Sequence, residues 1–174
     1  MRKFEVGIQL YEASNVVGRY VTKDGRIVNH HFERLKFVTD ISILKELVPL
    51  LKELVPEGTE VLAGNALGGI VLTTATALEM NLNTVLIRNK AVKGKNFVEG
   101  SEVEGKKVCI ITDMVTSAKD VMESVNALKD LGAVVDTVVC VIRKGSGVPE
   151  ELLQQGIKLK HVFTMNYLRQ LVGE

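Results

Sequence analysis

Residues 108–120, VCIITDMVTSAKD, lead an apolar run into a lone carboxylate, Asp113, then a short polar loop and the start of an amphipathic stretch. A carboxylate ending a buried strand can bind a ribose hydroxyl or a metal-bound water. Hydroxyl and backbone donors at a helix start, here around Thr116 and Ser117, suit a phosphate. Capping of the helix by Ser117 or Asp120 would use the same residue types. The loop holds no glycine and ends in a second acid, Asp120, so it poses the question of whether a phosphorylated ligand fits. A second segment, AGNALGGI at 63–70, has glycines that let backbone approach a ligand and opens a helix with exposed N–H donors, though purely structural turns look the same. A third is the basic cluster Arg88, Lys90, Lys93 and Lys95, which suits either a polyanionic ligand or a solvated loop. A fourth, TKDGRIVNHHFE, carries adjacent His30 and His31. Neighbours on a strand face opposite ways, and no other His or Cys is spaced to complete a site, so a His-ligated metal is not expected. No Ser- or Cys-centred nucleophile motif and no GxxxxGK[ST] loop occurs.

The elements that must position these residues follow from periodicity. Residues 4–15 have helical spacing through Phe4, Ile8 and Tyr11. RYVT and RIVNHHF flank KDG, which predicts a hairpin. Residues 40–56 read as a helix capped by Asp40 or Ser42, with Pro49 expected to bend or interrupt it. From residue 60 onward short apolar runs (59–64, 84–88, 106–113, 136–143, 158–164) alternate with helical stretches (69–81, 118–132, 148–156, 165–172). Gly132 closes the second of these helices. That alternation predicts an α/β fold, a mostly parallel sheet flanked by helices, with the first forty residues added as a hairpin layer. In such sheets ligands bind beyond the carboxyl ends of the strands, where the Asp113, 63–70 and Arg88 segments fall. Residues 89–106 form the longest aperiodic stretch, and loops of that length are usually functional or mobile.

The 174 residues fit one domain, with 1–40 as a hood and 41–174 as the core. A net charge of +1 offers no global basic field for nucleic acid, so any anion site must be local. Cys109 and Cys140 both lie in apolar runs and read as buried structural thiols. Neither a signal peptide nor a membrane span is expected, and the reading is a reduced, soluble, cytoplasmic protein.

Taken in order, these segments resemble the orotate phosphoribosyltransferases, which have the type I phosphoribosyltransferase fold. GRYVTKDGRIVNHHFERLKFVTD is similar to that family's base-binding hairpin. AGNALGGIVLTTATALE resembles its diphosphate loop and following helix. IRNKAVKG…VEGSEVEGKKV resembles its catalytic loop, and CIITDMVTSAKD stands where the family has a strand, an acidic pair and TTGGS. The resemblance covers nearly the whole chain. It implies transfer from 5-phosphoribosyl 1-diphosphate to orotate with Mg2+, giving orotidine 5′-monophosphate and diphosphate. It also implies a homodimer. By resemblance, Lys23, His30 and His31 belong to the base side, and Ala66, Leu67, Gly68 and Gly69 hold the diphosphate. Arg88, Lys90 and Lys93 belong to the catalytic loop, Asp113 to the ribose or a metal-bound water, and Thr116, Ser117, Ala118, Lys119 and Asp120 to the 5′-phosphate.

The chain departs from the family pattern at several of these positions. The acidic pair is Thr112–Asp113, and TTGGS has become Thr116, Ser117, Ala118, Lys119, Asp120. Asn89 and Val92 stand where the catalytic loop has lysines, and Val28, His30 and His31 alter the hairpin. Two alternatives follow: transfer to another base, or a paralogue that binds a phosphorylated ribose or nucleotide without catalysis. An Asp120 carboxylate that fills the phosphate cradle would favour the latter.

Overall fold

A computed structural model describes residues 2–21, 25–88, 98–145 and 147–174. Lys23, Lys90, Lys93 and Lys95 lie outside these residues. The chain opens with helix α1 (Lys3–Ser14), followed by an antiparallel hairpin of β1 (Asn15–Val21) and β2 (Ile27–Phe32). The expected hairpin is present, but β1 starts earlier than RYVT and bulges between Val17 and Tyr20. Helix α2 (Arg34–Thr39) follows, a separate turn that periodicity did not resolve, and then α3 (Ile41–Leu54).

Asp40 caps α3 as expected, accepting from the amides of Ser42 (2.9 Å) and Ile43 (3.3 Å). Pro49 does not interrupt α3. It sits on the exposed face, where the carbonyl it strands can meet water, while Ile43, Leu47 and Leu51 hold the buried stripe.

The second half alternates: β3 (Val61–Asn65), α4 (Ala66–Met80), β4 (Asn83–Ile87), β5 (Val98–Gly100), β6 (Lys107–Val115), α5 (Lys119–Asp130), β7 (Val134–Arg143), α6 (Glu150–Gln154), β8 (Lys158–Thr164) and α7 (Met165–Leu171). The sheet order is β5-β4-β3-β6-β7-β8. All neighbours are parallel except β5, a short strand antiparallel to β4 within the stretch read as aperiodic. Gly132, with φ +81°, terminates α5 in the left-handed region as expected.

Alternate residues of the central strands feed two cores. Cys109 and Ile111 of β6 and Val139 and Val141 of β7 face α1, α2, α3, α4 and α7, packing with Leu10, Phe37, Leu47, Leu72 and Leu168. Val108, Ile110, Val138 and Cys140 face the other way, against Val121, Val125 and Leu128 of α5 and Leu152 of α6. Burial pushes both thiols up to about 12, which leaves them inert packing groups as their apolar surroundings predict.

From β3 the chain crosses to β4 on one side, and from β6 it crosses to β7 on the other, so the connections diverge between β3 and β6. The crevice at that divergence is where α/β sheets admit ligands. Its walls are unusually close. A Cβ on Gly69 would lie 2.7 Å from the Ile111 carbonyl oxygen and 3.2 Å from Thr112 Cα, so α4 rests on the backbone of β6. Gly69→Ala must push helix and strand apart and is expected to cost about 1–3 kcal/mol. Urea unfolding of the variant against the parent measures this.

Candidate active site

The first turn of α4 is built over Asp113. A Cβ on Gly68 would lie 2.5 Å from Asp113 Oδ2 and 2.8 Å from its Cγ. The glycine at 68 therefore makes room for a carboxylate. Asp113 does not end its strand, as the sequence suggested. Met114 and Val115 continue β6 by pairing with Ile142 and Arg143 of β7, which places Asp113 inside the strand and leaves it only 3% exposed. Its Oδ1 accepts from the Met114 amide at 2.7 Å and stands 3.6 Å from Arg34 Nη1. A buried carboxylate needs such partners. Just upstream, Ala66 holds φ +60°, a conformation that costs a non-glycine residue on the order of 1 kcal/mol and marks this turn as constrained.

Arg34 links Asp113 to a cavity of about 540 Å³ between the hairpin and the carboxyl ends of β6 to β8. His30, His31, Arg26 and Arg34 line it from the hood, Met114 and Thr116 from β6 and its loop, and Lys144 and Arg169 from the far wall, with Tyr11 and Phe32 supplying apolar surface. The lining holds four Arg or Lys side chains and no carboxylate among the described residues. It suits a planar anion with one apolar face. Both histidines reach the same cavity despite adjacent strand positions, and the His31 ring lies 5.4 Å from that of Tyr20.

The loop after β6 carries an anion of its own. Asp120 Oδ2 accepts from the amides of both Thr116 (2.6 Å) and Ser117 (2.8 Å). The sequence reading placed Asp120 among residues that would hold a phosphate. Its carboxylate occupies two of the amides that the resemblance offers to a phosphate. The carbonyl of Asp120 accepts from Asn65 Nδ2 at 3.0 Å, tying the start of α5 to the end of β3. Ala118 is buried, and Thr116, Ser117 and Lys119 are exposed. These loop residues also border a cavity of about 340 Å³ with Arg143 and Lys144. There the Arg143 guanidinium donates to the carbonyls of Gly145 (3.1 Å) and Gly147.

Arg88 stands apart from the cationic cavity. It borders a neighbouring one of about 390 Å³ with Ala66, Leu67, Ile70 and Glu99, and its Nε and Nη2 both lie 2.6 Å from Glu99 Oε2. Both partners are well exposed, so the pair is worth about 0–1 kcal/mol, and a ligand anion can outbid it. Leu67 is exposed at this rim. Among the described residues no group of three or more His, Cys, Asp or Glu side chains gathers to hold a metal.

Arg26, Arg34, Asn65, Lys144 and Arg169 were not singled out from the sequence. A signal existed for Lys144, which directly follows β7 at the carboxyl edge of the sheet. For Arg169, on the last helix, only the folded chain brings it to the cavity.

No family model matches the sequence. Among curated proteins, the orotate phosphoribosyltransferase of Methanocella arvoryzae is 30% identical over 146 residues, covering 82% of this chain and 83% of that protein. The one from Halobacterium salinarum is 29% identical over 153 residues, covering 87% of each. The solved orotate phosphoribosyltransferase of Mycobacterium tuberculosis superposes with a TM-score of 0.83 at 23% identity, covering 95% of this chain and 98% of that one. An adenine phosphoribosyltransferase from Thermoanaerobacter pseudethanolicus still reaches 0.65 at 11% identity, covering 91% and 99%. The fold is thus shared across bases, and the choice of base has to be argued from the cavity.

If Arg34 serves chiefly to offset the buried charge of Asp113, the two should be energetically coupled. Arg34→Gln is expected to destabilise the protein, and the loss should shrink by about 0.5–1 kcal/mol in an Asp113→Asn background. A double-mutant cycle by denaturant unfolding measures the coupling.

Proposed function

The chain belongs to the orotate phosphoribosyltransferase family, and from that we propose that it transfers the 5-phosphoribosyl group of 5-phosphoribosyl 1-diphosphate to orotate, forming orotidine 5′-monophosphate and diphosphate in pyrimidine nucleotide synthesis. The observation that carries this reading is the cationic cavity at the carboxyl ends of β6 to β8, which Arg34 joins to the buried Asp113. Orotate is a flat carboxylate-bearing ring. Arg26, Arg34, Lys144 and Arg169 supply positive charge for it, and Phe32 and His31 supply faces. A neutral purine brings no carboxylate to that positive charge.

In the reaction the bond from the anomeric carbon to the diphosphate oxygen breaks, and a bond to a ring nitrogen of orotate forms as that nitrogen gives up its proton. Positive charge develops on the ribose and negative charge on the leaving diphosphate, so fixed dipoles and charges aimed at each lower the barrier. By resemblance, Asp113 would hold a ribose hydroxyl. The first turn of α4, at Ala66, Leu67, Gly68 and Gly69, offers amide donors and a positive helix end to the diphosphate. Arg88, with Lys90 and Lys93, would exchange its weak surface pairing for the departing anion.

Mg2+ fits this donor set as an ion carried by the substrate rather than held in a protein cage. Asp113 lies buried beneath α4 with its Oδ1 already engaged by the Met114 amide, and among the described residues no cluster of acids gathers around it. Such an ion would supply positive charge for the leaving diphosphate. The family resemblance further suggests a homodimer acting in the cytoplasm. Among the described residues no helix is long and apolar enough to cross a membrane.

A second reading is a binding protein with little turnover, and the Asp120 carboxylate on the Thr116 and Ser117 amides favours it. The test is to follow orotate absorbance with 5-phosphoribosyl 1-diphosphate and Mg2+. Orotate consumption dependent on both supports the transferase, and ligand binding without consumption supports the alternative. Under the transferase reading, Arg88→Ala should lower kcat/KM by about tenfold or more, consistent with a lost anion contact. Its melting temperature should hold, because an exposed ion pair contributes little.

A further inference from the structure

We propose that the Asp120 carboxylate is a built-in occupant of the phosphate cradle, so that a phosphorylated ligand reaches the loop amides only by displacing it, and that Asp120 thereby sets the affinity for the phosphoribosyl end of the substrate. This rests on the transferase reading of the chain. One oxygen, Oδ2, takes the Thr116 amide at 2.6 Å and the Ser117 amide at 2.8 Å. Two consecutive amides converging on one anionic oxygen is the arrangement that cradles phosphate oxygens elsewhere. Asp120 also lies in the first turn of α5, so its charge takes up the positive end of that helix. The donors, the dipole and the geometry of an anion site are all present, and the anion is supplied by the chain.

The backbone of Asp120 is tethered, because its carbonyl accepts from Asn65 Nδ2 of β3 at 3.0 Å. Making way for a phosphate therefore requires rotation of the side chain alone. Rotation gives up two short charge-assisted bonds, and the freed carboxylate stays close to the incoming dianion. Either cost weakens binding. Like charges about 4 Å apart suffice for a loss of about tenfold or more relative to a hydroxyl at this position. Asp120 is thus a specificity-determining residue: it penalises ligands in proportion to the charge they bring to this loop, and it holds the loop in a bound-like form without them.

Calorimetric titration of the full chain with 5-phosphoribosyl 1-diphosphate and Mg2+, for the parent and Asp120→Ser, tests this, together with thermal melts in inorganic phosphate. Asp120→Ser should bind the ligand about tenfold more tightly. It should melt lower than the parent in the absence of phosphate, because two amides lose their acceptor. Millimolar inorganic phosphate should then raise the variant's melting temperature and leave the parent's unchanged. If Asp120→Ser folds poorly, Asp120→Asn keeps an acceptor without the charge and should show the same tightening. Binding that is equal or weaker in the variants, while the parent binds and consumes orotate, overturns the inference and leaves the transferase reading intact. Absence of binding in parent and variants alike, with no orotate consumed, overturns both.

Discussion

The candidate site depends on how closely α4 crosses the carboxyl end of β6. At 69 a side chain would strike the strand's backbone, and at 68 it would strike the carboxylate of Asp113. Gly64 is constrained in the same way, since a Cβ there would lie 2.9 Å from Ile70 Cα. These absences of a side chain let the helix N-terminus, with its unpaired amides, stand directly over a buried acid. The left-handed Ala66 is the turn by which the chain passes from β3 into that position. A wider crossing would keep the fold and separate the dipole end from the carboxylate.

Around this crossing the charges divide the crevice. The hood and the far wall present arginine, lysine and histidine to a cavity large enough for a small ring, and Arg34 bridges from it to Asp113. The loop at 116–120, whose Thr116 also borders that cavity, carries the chain's own anion in its amides. The cavity under the hood therefore invites negative charge, and the 116–120 amides already hold one.

Much of the fold was legible because alternating apolar runs and amphipathic stretches have one economical packing, a parallel sheet covered on both faces. Helix α2 and strand β5 escaped because six and three residues are too few to display a period. Pro49 misled because its effect on a helix depends on which face it occupies, and periodicity weights that only weakly. In the site, the glycines at 68 and 69 were legible as places of close approach, but what approaches them is a strand and a carboxylate, which no local pattern encodes. Asp120 was ambiguous for a sharper reason. Helix cap and phosphate ligand demand the same residue types at the same spacing, and only the direction of one side chain separates them. Arg34, Lys144 and Arg169 come from three distant segments, and nothing local marks them as neighbours.

The most direct measurement is the crystal structure of the protein with orotidine 5′-monophosphate. The account predicts the base among Arg26, Arg34, Lys144 and Arg169, the ribose over Asp113, and the 5′-phosphate at the 116–120 loop with the Asp120 side chain turned away. A nucleotide bound away from the carboxyl ends of the strands, or one whose base avoids the cationic cavity, would contradict it.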